Sequence, residues 1–199
     1  ILLFALIVGT LWISSCTKYP ADVTRTQEDL AVLTQWDVKK DFSIYSTFYL
    51  ADSIYYKDGS DSGYVTDGMA SDIIAQIVKN MTDRGYVQVS KSTKSDMTIG
   101  VTYIKNVNVD VYYPYYPYWG YWGSGWYYPY YGYGYPVVSS YSVGTVIIDM
   151  FDMKNAPGKI EGMFTGVIRG LYTNTHTATE INNTIDQAFN QSLCFTTLN

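Results

Sequence analysis

The sequence predicts an α+β fold: a largely antiparallel or mixed sheet with two amphipathic helices on one face, in the order β-β-α-β-β-loop-β-β-α. Three observations lead there. Short stretches with an apolar residue at every second position recur along the chain, as half-buried strands require. Two other stretches carry apolar residues at helical spacing, the mark of a helix with one buried face. Strands separate those two stretches, so both helices can cover the same sheet. No repeat with a period of roughly 20–50 residues is visible.

The elements follow in order. Leu30, Val32, Thr34, Trp36 and Val38 alternate with mostly polar neighbours and predict a first strand. Lys39-Lys40-Asp41 interrupts it, and Phe42, Ile44, Ser46, Phe48 and Leu50 alternate again, predicting a second strand. The stretch KDGSDSG, from Lys57 to Gly63, has loop chemistry. Met69, Ile73, Ile74, Ile77, Val78 and Met81 share one helical face, which predicts a helix from about Thr66 to Arg84. Asp67 can cap its start and Gly85 stands where a left-handed C′ residue belongs. Tyr86 to Val89 is a short strand. Met97, Ile99, Val101 and Tyr103 alternate, as do Val107, Val109 and Val111, so one long strand runs toward an aromatic segment. Val143 to Leu171 reads as a hairpin turning at Asn155-Ala-Pro-Gly158. Thr177-Ala-Thr-Glu180 is a capping box, and Ala178, Ile181, Ile185, Ala188 and Phe189 give the last helix its apolar face.

The N-terminus sets an address. Ile1 to Ile13 is uncharged and almost wholly apolar, too short to span a bilayer comfortably and suited to the apolar region of a secretory signal peptide. A buried core helix is the alternative for this run. No initiator Met or basic leader precedes it, as in a chain truncated at its start. Ile13-Ser14-Ser15-Cys16 follows and resembles a bacterial lipobox, with an aliphatic residue, two small residues and a cysteine whose thiol accepts diacylglycerol. The expectation is a signal peptide over 1–15, acylation at Cys16, a polar tether over 16–28 and one domain over 29–199. Acyl chains hold a protein on a membrane at ~0.8 kcal/mol per buried methylene. Thr17 stands where many Gram-negative lipoproteins retained in the inner membrane have Asp, which favours the outer membrane and a periplasm-facing domain.

The net charge is −5, a diffuse acidic balance that argues against polyanion partners. The two cysteines are Cys16 and Cys194. With Cys16 acylated no intramolecular disulfide can form, and Cys194 reads as a small apolar residue near the tail.

The segment from Tyr112 to Tyr135 holds 12 Tyr, 3 Trp, 5 Gly, 3 Pro and one Ser. No Lys, Arg or His occurs from Asn106 to Met153. Aromatic platforms for nucleic acid need a basic groove beside them, so nucleic acid is excluded as a partner. Two readings remain. The rings pack on one another and on the sheet, or they form an exposed adhesive surface, since Tyr and Trp offer large apolar area with a polar tip. The candidate interaction surface comprises Tyr112, Tyr113, Tyr115, Tyr116, Tyr118, Trp119, Tyr121, Trp122, Trp126, Tyr127, Tyr128, Tyr130 and Tyr131. Such a face can stack on sugar rings, sit at a lipid headgroup layer or dock an envelope protein. Burying so many rings within 24 residues is hard, because Pro and Gly keep the backbone irregular and its amides need partners.

Catalytic and metal chemistry find little footing. His176 is the only histidine, and it precedes the capping box, where an exposed or capping role suits it better than a zinc site. Asp149 and Asp152 are three apart on a strand and point to opposite faces, so they do not form an acid–base pair. Asp149 is expected buried and hydrogen-bonded, Asp152 at the hairpin end. No serine sits in a nucleophile elbow. Gly120, Gly123 and Gly125 resemble a phosphate loop only superficially, because no Lys follows and bulky rings fill the gaps. The residues predict no cofactor, no metal and no catalytic group.

Three stretches, KKDFSIYSTFYLADS (Lys39–Ser53), IIAQIVKNMTDRGYVQVSKSTKSDMTIGVTY (Ile73–Tyr103) and VGTVIIDMFDMKNAPGK (Val143–Lys159), together with INNTIDQAF, resemble an uncharacterised family of bacterial envelope lipoproteins. Its domain is the domain of unknown function numbered four-one-three-six. The resemblance covers most of the chain after Cys16. Family members often carry Trp where this chain has Phe164, and Pro-Tyr where it has Leu193-Cys194; both departures read as packing changes. The resemblance implies an envelope lipoprotein with an α+β domain and supplies no activity. The sequence thus leads to a lipid-anchored envelope protein that binds or scaffolds through its aromatic segment and is not an enzyme. The alternatives are a structural outer-membrane lipoprotein and an envelope hydrolase.

Overall fold

The computed structural model describes residues 30–59, 61–105, 144–155, 160–173 and 175–192. The strands are β1 (Ala31–Trp36), β2 (Thr47–Leu50), β3 (Ile54–Asp58), β4 (Asp61–Val65), β5 (Val87–Gln88), β6 (Met97–Ile104), β7 (Thr145–Asp152) and β8 (Glu161–Arg169). The helices are α1 (Gly68–Asp83) and α2 (Ala178–Asn190), and a single 3-10 turn spans Phe42–Ile44. The strands form one mixed sheet in the order β1-β8-β7-β6-β2-β5. Strand β6 is its axis. On one side β7 runs antiparallel along all of it; on the other β2 pairs with Met97–Ile99 and β3 with Thr102–Ile104, both parallel.

Alternation explains the layers. Met97, Ile99 and Val101 of β6 and Val146, Ile148 and Met150 of β7 leave one face and meet Ile73, Ile77 and Met81 of α1 and Ile181, Ile185 and Phe189 of α2. Both helices therefore lie on that face, as the apolar spacing predicts. Polar side chains fix how the helices meet. Gln76 Nε2 and Asn80 Nδ2 both donate to Asp186 Oδ1, at 2.5 and 2.6 Å, and Arg84 donates to Asn190 Oδ1 at 2.8 Å while lying 5.3 Å over the Phe189 ring. Phe164 stacks on Phe189 with centroids 6.3 Å apart. The opposite face of β7, Thr145, Ile147, Asp149 and Phe151, is buried as well.

The caps behave as the sequence predicts. Asp67 Oδ1 accepts from Ala70 N at 2.9 Å, Gly85 takes φ +91° just beyond α1, and both bonds of the Thr177–Glu180 capping box are present.

Two expectations are corrected. The alternation over 42–50 is not one strand. Asp41 accepts from the Ser43 backbone at 2.9 Å and its hydroxyl at 2.6 Å, and Tyr45 N–H bonds back to Phe42 O, which winds a 3-10 turn. Phe42 and Tyr45, three apart, are buried while Ile44 is exposed, so the period there is three and the strand starts only at Thr47. The stretch 57–63 is not a plain loop. Lys57 and Asp58 close β3, and Asp61 to Gly63 belong to β4, with Asp58 paired to Asp61 and Gly59 at φ +57° between them. This polar hairpin faces solvent, so it lacks the apolar signal that reveals a strand. The order becomes β-β-β-β-α-β-β-β-β-α. Residues 156–159 lie outside the described set, and so do Val107, Val109 and Val111.

Candidate functional site

Lys105 and Gly144, the described residues on either side of the aromatic segment, lie at one end of the sheet, and that end is built from paired backbone. Ile104 pairs with Lys57 on one side and Thr145 on the other. Gly144 N–H donates to Ile104 O at 3.0 Å, and Lys105 N–H to Lys57 O at 2.8 Å. The two points where the chain leaves and re-enters the sheet thus sit side by side. Gly144 is the hinge of this arrangement. Its φ of +83° is one that L side chains rarely adopt, and a Cβ there would stand 2.9 Å from Thr173 Cγ2 and 3.2 Å from Tyr172 O. Gly144 O in turn accepts from Tyr172 N–H at 2.8 Å.

Tyr172 then ties this end to α1. Its ring stacks on Tyr103 with centroids 4.1 Å apart, and its hydroxyl donates to Asp67 Oδ1 at 2.7 Å, the same oxygen that caps α1. Burial, then the bond to Asp67, raises the Tyr172 hydroxyl pKa, and burial raises that of Tyr103. Tyr56, opposite Tyr103 on β3, lies with Lys105 Nζ 5.2 Å from its ring centre, and Lys105 also approaches Asp58 at 3.6 Å. Tyr55 and Tyr64 meet edge to face at 5.7 Å, and Tyr64 is 46% exposed. This end presents aromatic rings with polar tips, the lysines Lys57 and Lys105, and the aspartates Asp58, Asp61 and Asp67.

The other end carries a polar cluster centred on one buried carboxylate. Asp152, buried at the close of β7, accepts from Lys40 Nζ at 2.9 Å, Tyr45 OH at 2.8 Å, Asn155 N at 2.9 Å and Asn155 Nδ2 at 3.1 Å. Lys40 also reaches Glu161 at 2.9 Å. Burial alone would raise the Asp152 pKa, but the bonds from Asn155, Lys40 and Tyr45 outweigh it and hold the carboxyl below its ordinary value. Burial opposes the Lys40 charge, and its two carboxylate partners overcome that and raise its pKa. Burial and Asp152 push Tyr45 up to about 12. Each group is driven away from neutrality, so none of the three exchanges a proton near pH 7. The cluster is a clasp that holds the β1–β2 connection onto the end of the β7–β8 hairpin. Nearby, Asp96 Oδ2 accepts from the backbone N–H groups of Ser46 and Thr47 at 2.8 and 3.2 Å.

The predicted residues distribute as follows. Cys16, Cys194 and all thirteen aromatic residues of the candidate surface lie outside the described residues. Asp149 is buried and accepts from Thr165 Oγ1 at 2.6 Å, whereas Asp152 belongs to the clasp, so the two aspartates serve separate networks as their spacing requires. His176 is half-buried, with Nε2 2.8 Å from Gly170 O just before the α2 cap. No group of three or more His, Cys, Asp or Glu able to hold a metal occurs among the described residues. No helix among them is long and apolar enough to cross a membrane. Sequence reasoning missed the clasp, whose Lys40 and Asp152 stand 112 residues apart, and the Tyr103–Tyr172 stack.

The family model described as Domain of unknown function (DUF4136) matches residues 32–192. Among solved structures, a crystal structure of a DUF4136 family protein from Bacteroides thetaiotaomicron VPI-5482 is 27% identical with a TM-score of 0.63, covering 86% of this chain and all of that one. Two structures of the PelC dodecamer from Paraburkholderia phytofirmans are 9% and 10% identical, with TM-scores of 0.42 and 0.38. They cover 84% and 85% of this chain and 99% of their own, a likeness too slight to carry an argument. No curated protein matches the chain.

Proposed function

The chain belongs to the DUF4136 family, and from that premise we propose that it is a lipid-anchored cell-envelope protein that binds or scaffolds through its Tyr/Trp-rich segment, 112–135. Cys16 carries the lipid, residues 1–15 are the signal peptide that is removed, and the domain faces the periplasm from the outer membrane. Its partner is a glycan, a lipid headgroup layer or an envelope protein. It catalyses no reaction. In support, the most strongly held titratable groups among the described residues are shifted away from neutrality rather than toward it, the reverse of what a general acid or base needs.

One observation carries this reading. Backbone bonds from Gly144 N–H to Ile104 O and from Lys105 N–H to Lys57 O pair the strand ends that flank the segment. A segment so mounted can serve a partner while the sheet supports itself. A structural lipoprotein whose aromatic segment only packs on the sheet has a different observation in its favour: Thr145, Ile147, Asp149 and Phe151 are buried although both described helices lie on the other face.

Replacing 112–135 by a short Gly/Asn turn separates the two. The binding reading expects nearly unchanged unfolding, because each halving of a loop whose ends already meet changes stability by only about 0.6 kcal/mol. It also expects lost capture of envelope glycans, lipids and proteins. A loss of several kcal/mol, or capture that persists, gives the segment to the fold.

A further inference from the structure

We draw no further inference here: the strongest candidate, the face of the sheet turned away from both helices, where Ile104 of β6, Ile147 and Phe151 of β7 and Val167 of β8 are buried, carries nothing because nothing in the structure shows what covers it.

Discussion

The two ends of the sheet are held by different physics. At the clasp end one buried carboxylate gathers an ammonium, a phenol and two nitrogen donors of Asn155 from three parts of the chain. At the segment end the joint is a glycine at positive φ, a ring stack and one hydroxyl bond to a helix cap. The clasp end offers no spare valence, since its groups satisfy each other. The segment end is joined by backbone bonds, ring faces and one hydroxyl bond, and leaves Tyr64 exposed and Lys105 exposed beside Asp58. The end that is closed by charge suits stability, and the end that is closed by backbone suits display.

Breaking the clasp should therefore cost most. Asp152→Ala removes the shared acceptor and leaves the Tyr45 hydroxyl buried without it, while Lys40 keeps Glu161. A loss of about 3 kcal/mol is expected, near the lower bound for breaking a buried pair, and urea titration measures it. The pH dependence sharpens the point. Asp152 has a folded pKa below the unfolded value of about 3.9, so its contribution is present above that value and lost as pH falls through the folded one. Lys40 has a folded pKa above the unfolded value of about 10.4, so its contribution is full below that value and lost as pH rises through the folded one. Between these limits the clasp is constant. Asp152→Asn should flatten the acid limb of the stability curve; an unchanged limb would show that the clasp does not set it.

Gly144→Ala tests the other end. Holding a non-glycine residue at φ +83° against Thr173 costs about 1–3 kcal/mol. If the segment end matters less to the fold than the clasp, this loss is the smaller of the two. A larger loss than for Asp152→Ala would invert the comparison.

How much of this was legible follows from which signals are local. The helices were, because Ile73, Ile77 and Met81 recur every four residues, close to one helical turn, and Asp67, Gly85 and Thr177 punctuate them. So was the β7–β8 hairpin, whose apolar runs stand close in sequence. The β3–β4 hairpin was not, because its turn half, Lys57 to Gly63, is polar and carries no apolar alternation although Ile54 and Tyr55 are buried. The 3-10 turn was not, because Phe42, Ile44, Phe48 and Leu50 mimic period two by identity while Asp41 and Tyr45 decide the geometry. The clasp and the Tyr103–Tyr172 stack join residues far apart in sequence, and no spacing rule reaches across 112 positions. Of the candidate surface, the sequence carried the composition, and the structure adds the joint on which it is mounted.

The smallest expected effect isolates that joint. Tyr172→Phe keeps the ring on Tyr103 and removes only the hydroxyl bond to Asp67, whose oxygen still accepts from Ala70 N–H. A single net hydrogen bond at a half-exposed site is worth about 0.5–1.5 kcal/mol, so a loss in the lower part of that range is expected at neutral pH. The sign changes in alkali. Tyr172 has a folded pKa raised above the unfolded value of about 10, so the unfolded chain ionises first and the native state loses stability as pH climbs past that value. Phenylalanine does not titrate, and Tyr45 titrates equally in both proteins. The advantage of tyrosine should therefore shrink and then reverse above about pH 10. Parallel stability curves across that range would mean that the hydroxyl is not held by Asp67 in solution. The segment end would then be joined by its backbone and ring stack alone.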